Sequence, residues 1–243
     1  MPTADELAPT IESLHHSDQR LLRTVDSQSP EHWAAASLLP GWTRAHVAAH
    51  LALNAEGFSG ALEGLRSGEQ VAIYPSNEAR NTGIEELATA RHDEIRERLF
   101  AATQRFRTVI ESLTDEDWLG SVNRLPEGPV WPATELLEAR QREVEIHHAD
   151  LGLAYTHRNW PIEFAKTLLD SATAIHDVSP DSPAFTVHAI DVGRDWSVGA
   201  ARPVVSGSAT NLGWWLIGRG HGEGLSTDGG PLPTLGPWQR PAR

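Results

Sequence analysis

The segment QREVEIHHADLG, residues 141–152, sets Glu143, His147 and Asp150 four and three positions apart. On a helix turning about 100° per residue, Glu143 and His147 differ by roughly 40°, Leu136 falls between them, and Asp150 lies about 20° beyond Glu143. One face thus carries two carboxylates and an imidazole beside an apolar residue, with Arg140 at its edge. An arbitrary E-x-x-x-H more often marks a solvated face, but a face that also holds Leu136 argues for burial, where polar groups need partners. A glutamate and a histidine one turn apart are also how facing helices offer ligands to a metal inside a bundle.

A partner for that pair is available in HVAAH, residues 46–50. Measured from Val47, His50 lies about 60° from the centre of the apolar stripe, inside its rim, whereas His46 is nearer the solvent side. A lone histidine in such a place is ordinarily a satisfied core residue, and HVAAH lacks the glutamate of the H-E-x-x-H protease signature. His46 also has a structural role on offer, as the third residue of the helix that Thr43 caps. His50 together with Glu143 and His147, however, forms a set of two nitrogens and one oxygen that leaves a coordination position open for water or substrate.

Composition narrows the chemistry further. The chain has no cysteine among 243 residues and 12 histidines, so disulfides, thiolate metal ligands and a cysteine nucleophile are all excluded. Metal ligation falls to imidazole and carboxylate, a combination suited to catalytic zinc and similar divalent ions. Acidic residues outnumber basic ones, 33 to 20, and no basic cluster interrupts the excess, which argues against a nucleic-acid partner. No apolar run reaches the roughly 20 residues of a membrane span, and the opening MPTADELAPTIESLHH has no basic and apolar signal segment, so a cytoplasmic location is expected.

These residues need rigid elements to bring them together. Leu7, Ile11, Leu14, Leu21, Leu22 and Val25 follow helical spacing from Ala4 to about Val25, and Ser29-Pro30 opens a short helix with proline at its first position. Thr43 is the expected N-cap of a second long helix, with Trp42 stapled to Val47 and a buried stripe of Val47, Leu51, Phe58, Leu62 and Leu65. One continuous helix is expected from Ile84 to Leu113, and another, after the loop LPEGPVWPATE, from about Ala133 to Leu153. Four long helices with loops of moderate length imply a helix bundle over residues 1–157.

The texture changes beyond it. WPIEFAKTLLDSATAIHDV reads as one more helix, AFTVHAID, DWSVGA and RPVVSG as short strands, and SATNLGWWLIGRG as a helix ended by glycine. Residues 158–243 are therefore expected to form a smaller α/β domain, with the tail STDGGPLPTLGPWQRPAR running over the surface. The G-x-G in GRGHGEG follows a helix instead of a strand, which argues against a dinucleotide fingerprint.

LPGWTRAHVAAHLALNAEGF, EARN, REVEIHHADLG and VSGSATNLGWWLIGRG, in that order, resemble the mycothiol-dependent maleylpyruvate isomerases, a family of the metal-binding DinB-like superfamily. The resemblance runs over essentially the whole chain. It implies a DinB-like four-helix bundle with a C-terminal α/β domain, and a divalent metal held by His50, Glu143 and His147, in agreement with the set reached from spacing. It also implies functional arginines at Arg219, in GRG, and Arg80, in EARN. His148 beside His147, and HGEG after Arg219, are departures that bear on which substrate or thiol fits.

The activity so implied is the conversion of maleylpyruvate to fumarylpyruvate with mycothiol, a small thiol, as cofactor and zinc as the leading metal. The missing cysteine fits a borrowed nucleophile. Two other readings stay open at this level: a mycothiol S-transferase that conjugates electrophiles, and a non-catalytic metal or small-molecule binding protein. Asp150 is expected to orient a ligand histidine or to hold Arg140 or Arg142.

Overall fold

Thr3 opens the first helix with a reciprocal cap, its hydroxyl accepting from the Glu6 amide while the Glu6 carboxylate accepts from the Thr3 amide at 2.8 Å. This helix, α1, runs Ala4–Asp26 in a computed structural model that describes residues 3–180, 182–200, 203–236 and 238. Pro30 then stands at the first position of the short α2, Pro30–Trp33.

The second long helix, α3 (Arg44–Ser67), begins at Thr43 and ends at Gly68, whose φ of 76° supplies the left-handed cap. Its alanines at 45, 48, 49, 52, 55 and 61 are buried along with Val47, Leu51, Phe58 and Leu62, so α3 is enclosed on most sides. A helix apolar nearly all round belongs at the centre of a fold. It packs against α4 (Asn77–Ala88), α5 (His92–Ser112) and α7 (Glu135–Asp150), while α1 packs against α5 and α7. The four long helices α1, α5, α3 and α7 thereby close around one core that includes Leu14, Leu21, Leu51, Leu62, Leu99, Phe106, Leu136 and Val144.

Two helix boundaries differ from expectation. The single helix expected from Ile84 to Leu113 is broken at Thr89–Arg91, although its apolar period runs on across the break. There the Thr89 hydroxyl bonds the Glu86 carbonyl at 2.8 Å, the amides of Thr89 and Ala90 turn to Glu86 and Leu87, and Arg91 is extended. Local side-chain bonding has displaced the helical ladder. The helix expected to reach Leu153 stops at Asp150, because Gly152 takes φ 65° and its amide bonds the Ala149 carbonyl.

Before α7 come a one-turn helix, α6 (Asp115–Trp118), and an antiparallel pair, β1 (Ser121–Asn123) with β2 (Val130–Pro132). The segment leading to α4 is held to this pair by Ile73 N–H donating to Asn123 O and Tyr74 N–H donating to Arg124 O, at 2.9 and 3.0 Å. Its close approach to α3 depends on Gly57, where a Cβ would lie 2.5 Å from the Ile73 carbonyl oxygen.

The chain divides into two compact units at Tyr155 and Thr156. After a 3-10 turn (His157–Asn159), the second has α8 (Ile162–Val178) and α9 (Ala209–Leu216) packed on each other and on a four-stranded sheet. The strands β3 (Phe185–Ala189), β4 (Arg194–Val198), β5 (Val204–Gly207) and β6 (Ser226–Thr227) lie in the order β4-β3-β5-β6, with β3 and β5 parallel and the other pairs antiparallel. The tail expected only to cover the surface thus begins as an edge strand. Its residues 237 and 239–243, and residues 201 and 202 before β5, lie outside the described residues. No helix among the described residues is long and apolar enough to cross a membrane.

Candidate metal centre

α3 and α7 meet where His50 faces Glu143 and His147. The Thr43 cap fixes the start of α3, with the Thr43 hydroxyl receiving the His46 amide and the His46 ring reaching back to the Thr43 amide at 3.3 Å. This occupies His46 at the cap, and its other nitrogen lies 3.2 Å from Glu85. Trp42, expected on Val47, lays its indole against the rings of His46 and His50, 6.1 and 5.8 Å between centroids. One turn beyond His46, His50 is only 2% exposed.

His50 Nε2 lies 2.8 Å from Glu143 Oε2, and His147 Nε2 lies 3.3 Å from the same oxygen. The two imidazoles stand at 89° with centroids 4.7 Å apart. One potential ligand atom from each of the three residues falls within 4.8 Å of the others. Two imidazole nitrogens and a carboxylate oxygen at this spacing fit a divalent ion of the zinc type with a position to spare. The surrounding bonds fit as well, since His147 Nδ1–H donates to Asp150 Oδ2 at 2.9 Å and so turns Nε2 toward Glu143.

The electrostatics follow from burial against neighbouring charge. Burial pushes His50 down to about 4, against the opposing pull of Glu143. For His147 burial acts the same way, but hydrogen bonds to Asp150 and Glu143 prevail and raise it to about 9. Burial would raise Glu143, yet the charge and hydrogen bonds of His50 and His147 hold it well below the usual carboxylate range. At neutral pH without a metal, His50 is neutral, His147 is a cation between two carboxylates, and Glu143 is ionised.

Arg80, on the first turn of α4, reaches the same place. Its Nη2 lies 3.2 Å from His50 Nδ1, and its guanidinium sits over the Tyr74 ring, 5.6 Å from the centroid. A guanidinium can only donate, so His50 Nδ1 accepts and Nε2 carries the proton given to Glu143. Arg219 lies in the second unit, on the turn after α9, where its amide bonds the Trp214 carbonyl at 3.1 Å. His148 points away from the metal candidates and is buried against α1, with Nε2 2.8 Å from Thr24 Oγ1 and its ring stacked on Tyr155 at 3.8 Å.

Two side chains here are not marked by the sequence pattern: Asn54, and Arg140, which spacing sets only at the edge of a face. Asn54, one turn after His50, is 1% exposed and donates to the Tyr74 hydroxyl at 3.2 Å. Arg140, fully buried, donates from Nη1 to Leu51 O at 3.0 Å and to Asn54 Oδ1 at 2.8 Å, with Asp18 as its counter-charge at 3.7 Å. The available signal was an asparagine four residues after His50 inside an otherwise apolar stretch.

Residues 14–152 match the family model described as the mycothiol maleylpyruvate isomerase N-terminal domain. Two solved structures are similar over nearly the full length: that of a mycothiol-dependent maleylpyruvate isomerase and that of its variant with one histidine replaced by alanine. Each has a TM-score of 0.88 and 26% identity, covering 98% of this chain and 100% of the other. No curated protein matches the sequence.

Proposed function

The chain belongs to the mycothiol maleylpyruvate isomerase family, and from that membership we propose that it is a mycothiol-dependent cis-trans isomerase converting maleylpyruvate to fumarylpyruvate. The observation that carries this reading is the convergence of His50, Glu143 and His147 inside the helical unit, with an arginine against them. A divalent ion held by these three, zinc being the leading candidate, would keep the mycothiol sulfur as the thiolate, whose addition to the cis double bond permits rotation and elimination to the trans product.

The protein's own groups do the rest. Asp150 holds the His147 ring so that Nε2 faces Glu143, and the burial of His50 beneath Trp42 limits water at that side. The substrate brings two carboxylates and develops enolate charge, which calls for cations that never deprotonate. Arg80 and Arg219 are assigned that work. Arg80 is half-buried and in contact with His50, so it can pair with an anionic group without a large rearrangement.

Metal analysis of the purified protein, followed by a maleylpyruvate assay with and without mycothiol, tests this reading. Bound divalent metal with turnover that needs only catalytic thiol is expected. Stoichiometric consumption of thiol would show a transferase instead, and metal binding without turnover a binding protein.

A further inference from the structure

We propose that Tyr74 is a further catalytic residue, a hydrogen-bond donor to the substrate beside the metal centre, and that Asn54 and Arg140 are positioning residues that aim its hydroxyl. The catalytic part rests on the isomerase reading. The direction of the hydroxyl rests only on hydrogen-bond inventory.

Arg140 is fully buried and can only donate. The atom of Asn54 facing it at 2.8 Å must therefore be the carbonyl oxygen, Oδ1. That choice turns the Asn54 NH2 toward Tyr74, 3.2 Å from the phenolic oxygen. The phenol is thus the acceptor in that bond, and its own proton must go elsewhere. Arg80, the hydroxyl's other side-chain partner, can likewise only donate, so neither neighbour takes the phenolic proton; Arg80 also lies over the Tyr74 ring and touches His50, which puts the hydroxyl beside the site.

Nothing about a packing tyrosine requires this arrangement. Tyr74 is 7% exposed and Asn54 1%, and burying an asparagine, an arginine and a phenol in one line is costly unless the polarity is used. A phenol that receives a bond from a cation-linked amide is a better donor through cooperative polarisation. In the proposed reaction, negative charge spreads onto the substrate's oxo group as the nucleophile adds, and a fixed donor there stabilises the transition state more than the ground state. The backbone that presents Tyr74 is fixed by the bonds of Ile73 and Tyr74 to the β1 region.

The test uses Tyr74→Phe, Asn54→Asp and the double variant in the zinc-loaded protein. Tyr74→Phe removes the donor. Asn54→Asp keeps the bond from Arg140 but has no hydrogen to give, so the phenol must donate to the new carboxylate and is drawn away from the site. Each is expected to lower kcat about 100-fold, the size typical of one lost oxyanion donor, with KM within about threefold. The double variant should lose no more than Tyr74→Phe alone, because both act through one proton.

Zinc stoichiometry should stay near that of the parent and both variants should remain cooperatively folded at the assay temperature, so that the loss of kcat is not a loss of the fold. Oxalate, a small dianion, serves as a probe independent of turnover, and both single variants should weaken its binding about tenfold. Normal kcat and oxalate binding in Tyr74→Phe, or multiplicative losses in the double variant, would overturn the proposal. If the parent protein fails to isomerise maleylpyruvate while oxalate binding still depends on Tyr74 and Asn54, the isomerase reading falls and the aimed donor stands.

Discussion

His147 Nδ1 lies 2.9 Å from Asp150 Oδ2, a carboxylate that is itself fully buried one turn along the same helix. The bond commits Nδ1 to carrying a hydrogen, so that Nε2 is the nitrogen available to a metal. Replacing Asp150 by Asn keeps the size but removes the negative charge. Zinc affinity of Asp150→Asn is expected to fall about 10- to 100-fold, measured by competition with a chromophoric chelator, and unchanged affinity would dissociate Asp150 from the centre.

His50 is the candidate ligand from the other helix. His50→Ala is expected to lose both bound divalent metal and turnover, and, because the buried ring also packs against Trp42, to lower the thermal midpoint while the protein stays folded. Metal retained at full stoichiometry would remove His50 from the ligand set.

Metal binding should also release a proton. The folded metal-free His147 is raised to about 9 and His50 lowered to about 4. Between these values only His147 must surrender its proton, so apparent affinity should rise about tenfold per pH unit from pH 5 toward 9 and level off above it. Calorimetry in buffers of different ionisation enthalpy reads the proton count directly; release of none near pH 7 would contradict the charge state described above.

Arg80 and Arg219 should separate binding from chemistry. A metal on His50 Nε2 leaves the proton on Nδ1, which then faces the donor Nη2 of Arg80 and can no longer accept from it. Arg80→Ala is therefore expected to keep or improve metal affinity while lowering kcat/KM, and Arg219→Ala to keep the metal and lose most turnover. Near-normal kinetics in either variant would end that residue's assignment.

Gly57 tests the backbone that carries Tyr74. An added Cβ meets the Ile73 carbonyl oxygen at 2.5 Å and the Ile73 Cγ2 at 3.0 Å. Gly57→Ala should cost about 1–3 kcal/mol of stability by overpacking, seen in chemical denaturation, and should lower turnover as Tyr74 shifts. A stabilised variant would show that the 73–74 segment is free to move.

Much of this centre was legible in the chain because it is written in local spacing. Glu143 and His147 one turn apart, Thr43 ahead of His46, and Pro30 at a helix start are each set by helical geometry over a few residues. The same period misled between Ile84 and Leu113, where apolar spacing continues through a break made by Thr89 and Arg91. Periodicity reports which face is buried, and it is silent on whether the backbone stays helical between two buried stretches.

By itself, then, the amino-acid sequence determined which helical faces are buried, the ionisable column on α7 and the exclusion of any thiol of the chain's own. Tertiary structure alone decided that His50 stands 2.8 Å from Glu143, that Arg140 bonds Asn54, and that Asn54 in turn aims at Tyr74. Those pairs are 93, 86 and 20 residues apart in sequence. The rotation and sliding of one helix against another are set by how whole side-chain surfaces interlock, and the direction of each buried hydrogen bond is set by donors that only packing brings into range.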